Sequence, residues 1–574
     1  MSANGVRDHY LTYLSRTILP AGHLEVWRWF RDRIPWYDPV AKHPSWRRGK
    51  RKDPRRPVAM AGFGAGVRTD DTKPSIATLR VIGDAWDTSV ASGDVPPDPM
   101  ALAEALFGTH TRQTSIVVPD GSAWVFDAVL RDCARTWVRA GWTIQPLVSG
   151  HAVKALIVRQ GRYRWTLSDF DAMTGTSPET ALAEARASGM CPGHPDDDLR
   201  TLRDWVLRLQ TVVHAEFGTY LRPTVGGTAV RAAAYDLPDG AVIPRVQPLL
   251  VAMCRVGRGF RGGYIYGERY RGPAFKVDVR RMYAWALSQP LGFRWALGPC
   301  VQDGVERDGV FLCTVSGTPR HPVQLGTWRG EATGFVAELW AGETAICVLP
   351  SSEFAGLRAL GVTVEPSFGF VATQCLDFAP FVSRLQTVIT RHGSDSPAGR
   401  YAKLAGNTLY GRLAVNPHRD GVVFSEDRPE GQVFPLVTLE GERLADLWHV
   451  ETVHHAPSQQ VSMAAQVTGY ARTRMYETMA RLIGEGHTIV HAHTDGLVVT
   501  GSPPTWLDGE TDQIGAWRLI SVDTDAIVAR SGGYAIGGEA KWSGAPSQGR
   551  RTIEVAWSRG DWLVAGRRAR PDRT

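Results

Sequence analysis

Two acidic residues and one basic helix could do chemistry together in this chain. In AFKVDVRRMYAWALSQPLG, Phe275 to Val279 reads as a buried strand with one carboxylate, Asp278, near its end. A helix follows, with Tyr283 in its first turns. In HTIVHAHTDGLVVTG two apolar strands flank a tight HTDG turn, which sets Asp495 at a hairpin tip. Carboxylates brought together on adjacent strands make a site for two Mg²⁺ ions. In GRYAKLAGNTLYGRL, Lys403, Asn407 and Tyr410 fall at i, i+4 and i+7, one face of a helix. A lysine on such a face can hold a triphosphate. Metals that bridge attacking and leaving oxygens, with a cation for the leaving pyrophosphate, are what phosphoryl transfer needs. Each signal alone has an ordinary reading: a strand-end Asp caps a turn, a helix Lys is solvated, and TDG is a common turn.

The elements that must position these residues follow from pattern. Apolar stretches SIATLRVIG, TSIVVP and VKALIVRQ read as strands between helices such as AWVFDAVLRDCARTWVRAG, so 57–220 reads as a sheet covered by helices. DDDLRTLRDWVLRLQTVVHAEF, from residue 196, is an amphipathic helix with an acidic first turn that suits the helix dipole. From 216 the texture changes to Gly, Arg and aromatics, then to short strands, long helices and hairpins. VSMAAQVTGYARTRMYETMARL reads as a helix leading into the Asp495 hairpin. No internal repeat is present.

Composition bounds the rest. At 574 residues the chain has room for three or four folding units. With 43% hydrophobic and 21% charged residues it is globular, and wholesale disorder is excluded. The net charge of +7 permits an anionic partner without proving one. The basic run WRRGKRKDPRR at 46–56 is a linker or a phosphate-backbone contact. Seven cysteines without a CxxC spacing point to a reduced, intracellular protein without structural zinc. No apolar run approaches membrane-spanning length, and the N-terminus lacks signal-peptide order, so a cytoplasmic protein is expected.

In order and context the three segments resemble the motifs of family B DNA polymerases, most closely the protein-primed branch of phages and linear plasmids. VDVRRMYAWAL resembles the DxxSLYP motif, with Asp278 and Tyr283 matched and Arg281 and Ala284 departing. KLAGNTLYG resembles Kx3NSxYG, matched at Lys403, Asn407, Tyr410 and Gly411. HAHTDG resembles YxDTDS: Thr494 and Asp495 match, while His491, His493 and Gly496 replace Tyr, Asp and Ser. FRGG at 260–263 resembles the YxGG motif, and AKWSGAP the KxY region, with Lys541 matched and Ser543 in the Tyr position.

The resemblance implies an α/β and α+β multidomain right hand of palm, fingers and small thumb, behind an inactivated ribonuclease-H-like exonuclease domain. The boundaries it implies are 1–56 for a basic extension, 57–220 for the exonuclease-like domain and 221–547 for palm and fingers. Insertions fall at about 291–385 and 412–455, and 548–574 forms a short thumb and tail. Asp278 and Asp495 would be catalytic, holding two Mg²⁺ ions with Val279, and Mn²⁺ could substitute. Tyr283, Arg391, Lys403, Asn407 and Tyr410 would meet the nucleotide. Phe260, Gly262, Gly263, Thr494 and Lys541 would meet DNA. Template-primer, dNTPs and a terminal priming protein would be the partners, in host cytoplasm if the element is a phage. In the exonuclease-like part, the first acidic motif falls at Phe63–Val67, where glycines stand for both acids. Asp127 and Asp198 remain as remnants. His493 is expected to titrate near neutrality, weaken Mg²⁺ binding and favour Mn²⁺. The reading from a different class is a silent, polymerase-like DNA-binding or structural protein.

Overall fold

The computed structural model describes residues 19–20, 22–33, 46–47, 58–67, 74–82, 87–91, 98–107, 113–149, 152–188, 197–239, 241–415, 418–424, 433–437, 443–453, 458–507, 513–542 and 553–554. Two compact units result. The first joins Met1–Trp46, Ile243–Val382 and Gln460–Thr574; the second joins Arg47–Val242 and Ser383–Gln459. The basic run at 48–56, Ser543 and the tail from 555 lie outside the described residues.

In the second unit seven strands build one mixed sheet. They are β1 (Val58–Val67), β2 (Pro74–Ile82), β3 (Asp87–Ala91), β4 (Gln113–Val118), β5 (Thr143–Ser149), β6 (Ala152–Gln160) and β7 (Tyr163–Asp169). Their order is β3-β2-β1-β4-β7-β6-β5. β4 runs parallel to both β1 and β7, and the remaining pairs are antiparallel. The helix Asp198–Phe217 buries Leu202, Trp205, Val206, Leu209 and Val213, the three-and-four spacing of one apolar face. Asp197 begins it by accepting from the Arg200 N–H, so the acidic run is spent partly on capping.

The stretch expected as one helix before Gly141 is broken. A π-turn at Gly121–Val125 leads into Phe126–Asp132, and a turn at Cys133 separates Ala134–Arg139. In the same unit Ser396 caps the helix Pro397–Leu413, with proline in its first turn. Strands at 418–424, 433–437 and 443–453 form a three-stranded antiparallel sheet inside the expected 412–455 insertion.

The first unit carries two larger sheets. β8 (Tyr264–Gly267) and β9 (Tyr270–Val279) come first. Six strands follow: β10 (Leu291–Pro299), β11 (Gly309–Ser316), β12 (Val323–Trp328), β13 (Phe335–Trp340), β14 (Ala345–Pro350) and β15 (Thr363–Leu376). These pair as β10-β15-β11-β14-β12-β13 and occupy the expected 291–385 insertion. After the helix Val461–Gly484 come β16 (Ile489–Thr494), β17 (Gly496–Thr500), β18 (Trp517–Arg530), β19 (Gly533–Ile536) and β20 (Glu539–Trp542). The second large sheet runs β8-β16-β17-β9-β18-β19-β20, antiparallel throughout.

Alternation along β9 decides what this sheet presents. Phe275, Val277 and Val279 are buried on one face, while Lys276 and Asp278 stand half-buried on the other. Among the described residues no helix is long and apolar enough to cross a membrane.

Candidate active site

Asp278 lies one residue from the end of the central strand β9, directly opposite Gly496 of β17 on one side and Arg518 of β18 on the other. The Val279 N–H donates to the Asp495 carbonyl at 2.8 Å, so the backbone itself stitches the two acidic segments together. A loop seals the far side: Arg280 N–H donates to Ala516, and Gly515 N–H donates back to Arg280. Gly515 has φ +82°, and a Cβ there would run into the Trp285 ring, so this close approach requires glycine.

Asp495 occupies the tight turn between β16 and β17. Its N–H donates to the His493 carbonyl at 2.8 Å. Thr494 has φ +57°, an uncommon conformation for a β-branched residue. Its hydroxyl lies 2.7 Å from Asp495 Oδ1 and fixes that carboxylate. Strain of this kind persists only where the surroundings impose it, and it gathers at working sites.

The carboxyl of Asp278 is pushed up to about 6, first by burial and then by the negative charge of Asp495, with Arg518 and Lys276 opposing. Asp278 Oδ1 is buried with no hydrogen-bond partner. Gly496 leaves the space beside it open: a Cβ there would stand 3.6 Å from that oxygen. An orphaned carboxylate oxygen next to a second carboxylate, with room before it, suits a divalent cation. Asp278 and Asp495 have the chemistry of the metal role expected of them, while Val279 is seen only through its N–H to the Asp495 carbonyl. Among the described residues no group of three or more His, Cys, Asp or Glu side chains gathers to hold a metal.

Tyr283 sits in the short helix Met282–Leu287 and is 8% exposed. The Gly263 Cβ position would lie 2.8 Å from both the Tyr283 hydroxyl and the Thr494 Cγ2. The glycine thus lets the FRGG turn close on the Asp495 hairpin and on the Tyr283 ring. A buried ion triad holds that turn. Arg472 donates to Glu353 through Nε and Nη2, both at 2.8 Å, and through Nη1 to the carbonyls of Arg261 and Gly262 at 3.0 and 2.9 Å. Arg261 donates to the same carboxylate. Phe260 is half-buried in this turn, Gly262 is exposed, and Lys541 is exposed on β20 opposite Tyr534.

The histidines depart from the expectation. His491 is buried, and its Nε2 accepts from the Gly532 N–H at 3.0 Å, which fixes a neutral ring with its proton on Nδ1. The His493 ring stacks parallel to it at 6.3 Å. Burial, and then Lys541, hold His493 below the usual imidazole value, with Asp495 opposing. It therefore takes up a proton at lower pH than a free imidazole.

In the second unit, Lys403, Asn407 and Tyr410 share the face of Pro397–Leu413 opposite buried Tyr401, Ala402, Ala405 and Leu409. Lys403 Nζ lies 3.7 Å from Asp395, a surface pair worth little. Arg391 donates to Glu216 at 2.6 Å, so its guanidinium is engaged. Asp127 lies on the helix Phe126–Asp132, and Asp198 forms an exposed ion pair with Arg186. Gly64 and Gly66 lie in β1, paired with Thr78 and Ser75 of β2. A group missed in the sequence gathers at the carboxyl ends of β4 and β7. There Asp171 is pushed up to about 6 by burial and then by Asp169, Glu179 and Asp120, with Lys154 opposing. Asp169 itself caps Phe170–Thr174 and accepts from Ser122 N–H, a structural use.

The fold is similar to that of phi29 DNA polymerase. The ternary complex of that enzyme with primer-template DNA and incoming nucleotides matches with a TM-score of 0.65, covering 87% of this chain and 93% of that one at 14% identity. Its orthorhombic crystal form matches at 0.61 and 15% identity, covering 87% and 94%. No protein-family model matches the sequence, and no curated protein does. The expected resemblance to the protein-primed branch of family B polymerases thus holds at the level of the fold.

Proposed function

We propose that the chain is a template-directed DNA polymerase that adds dNTPs to a 3′-hydroxyl. The observation that carries this reading is the Asp278–Asp495 pair: two carboxylates joined through backbone, one oxygen left unpartnered, on a fold similar to that of phi29 DNA polymerase. Asp278 and Asp495 would hold two Mg²⁺ ions, or Mn²⁺, which would supply electrostatic stabilisation of the reacting phosphoryl group. The chain's own residues supply the rest. Thr494 aims Asp495, and Gly263 admits the Tyr283 ring to the wall of the site. Primer-template DNA and a terminal priming protein are the proposed partners, in replication of a phage or plasmid in host cytoplasm.

Primer extension with Mg²⁺ or Mn²⁺ tests the reading. Asp278→Asn and Asp495→Asn should each cost about a thousandfold or more. Parent-like extension by either variant refutes it. A parent that binds primer-template but never extends it favours the silent relative, which the histidine at 493 and the missing exonuclease acids motivate.

The polymerase is further proposed to lack proofreading, supported by the glycines in β1 where the resemblance places acids. A labelled single strand should survive incubation with Mg²⁺. Degradation that disappears in Asp169→Asn would place a working nuclease at the β4–β7 carboxylates instead.

A further inference from the structure

Arg518 was not singled out by its sequence, yet it is the direct cross-strand neighbour of Asp278. Its Nη2 lies 3.6 Å from Asp278 Oδ2, beyond a good hydrogen bond, and its side chain is 45% exposed. Charge rather than packing holds it there. The register shift between Lys276 and Val277 inserts Ile520 just beyond Arg518, which keeps Arg518 on the same row as Asp278, Gly496 and His493. That row carries one acid, one permanent cation and one imidazole. Lys276, one row away, is already matched by Glu539. A bare divalent cation approaching Asp278 and Asp495 therefore meets two negative charges and one fixed positive charge.

We propose that Arg518 is a built-in counter-ion of the carboxylate pair that disfavours bare divalent metal and yields when metal arrives together with a nucleoside triphosphate. The proposal rests on the polymerase reading for its second half only. A triphosphate brings enough negative charge to satisfy both the metals and a guanidinium that is already half in solvent. Without it, the Arg518 charge beside Oδ2 opposes a metal arriving at Oδ1 of the same carboxylate. Even with the screening of bulk water, a guanidinium roughly 6 Å from a divalent ion weakens binding by about tenfold.

The test is Mn²⁺ binding to the full chain without DNA or nucleotide, read as loss of the free-ion paramagnetic resonance signal. Arg518→Gln should bind about tenfold more tightly than the parent. Arg518→Lys keeps the charge and should stay within about twofold of the parent. Asp278→Asn in the Arg518→Gln background should abolish the gain, which ties it to this site. Equal or weaker binding by Arg518→Gln overturns the proposal, and so does a gain that survives Asp278→Asn. If Arg518→Gln gains affinity but the parent never extends a primer, the counter-ion stands and the polymerase reading falls. Extension by the parent without a gain in Arg518→Gln means the reverse.

Discussion

Replacing Glu353 by glutamine should unfold the first unit far more easily than its isosteric shape suggests. Glu353, Arg472 and Arg261 are all buried, with Glu353 and Arg472 at 0% exposure. Three guanidinium donors converge on the two carboxylate oxygens. Burial pushes the Glu353 carboxyl up, but Arg261 and Arg472 outweigh it and hold it below the usual range. Glutamine keeps the volume and removes the anion. It also turns one oxygen into an NH₂ group facing a donor, and leaves two guanidinium ions without a counter-charge. Breaking such a group on one side costs about 3–5 kcal/mol. With a urea slope of about 3 kcal/mol/M, the midpoint should fall by roughly 1–1.7 M. Hydrogen exchange on peptides spanning 255–270 and 465–480 at increasing urea reads this unit directly. A contrasting variant, Glu353→Leu with Arg261→Met and Arg472→Met, removes all three charges together and should recover most of the loss. A Glu353→Gln midpoint within about 0.3 M of the parent refutes the claim that the triad holds the 261–263 turn.

Removing the ring in Tyr283→Ala should ease ribonucleotide incorporation, measured as the ratio of dNTP to rNTP extension rates; an unchanged ratio places that ring away from the sugar. His493→Asp restores a carboxylate to the Asp278 row and should raise extension with Mg²⁺ relative to Mn²⁺; a lower rate with both metals means the imidazole is adapted to its place. Burial holds His23 and His321 down to about 4 and His491, beside His493, down to about 3. The unfolded chain takes these protons near 6.5 and the folded chain refuses them, so stability is full above about 6.5 and is lost as pH falls toward 4, by up to a few kcal/mol per residue. A thermal midpoint that stays level between pH 7 and pH 5 contradicts those burials.

What was legible in the sequence was local. The apolar alternation that ends at Asp278 became β9, the runs flanking the HTDG turn became β16 and β17, and the helix read over 461–482 runs to Gly484. The i, i+4, i+7 face of Lys403, Asn407 and Tyr410 stands opposite the buried face of its helix. What stayed hidden depends on distant parts of the chain meeting. Arg518 sits in RLISVDTDAIVAR, where nothing local separates it from a solvated strand arginine; pairing with β9 gives it meaning. Nothing local marks Glu353 and Arg472, which are buried only because three segments fold around them. His493 could be recognised as a departure, but its protonation depends on burial and on Lys541, which no spacing reveals.

The same division explains how the fold can resemble phi29 DNA polymerase at 14% identity. The position of the carboxylates is set by main-chain bonds: Val279 to Asp495, Arg280 to Ala516, Gly515 to Arg280. Such bonds tolerate almost any side chain that accepts the backbone conformation, except where a close approach demands glycine, as at Gly263 and Gly515. Substitution can therefore run through the histidines of β16 and the arginine of β18 without moving Asp278 relative to Asp495. Those substitutions change the charge around the pair instead. The geometry of the pair is set through register, and the charge around it is set separately by the row of side chains beside Asp278. Changing Arg518 or His493 should alter metal binding while leaving the strand register intact, whereas loosening the Arg472 triad should disturb position first and affinity only as a consequence.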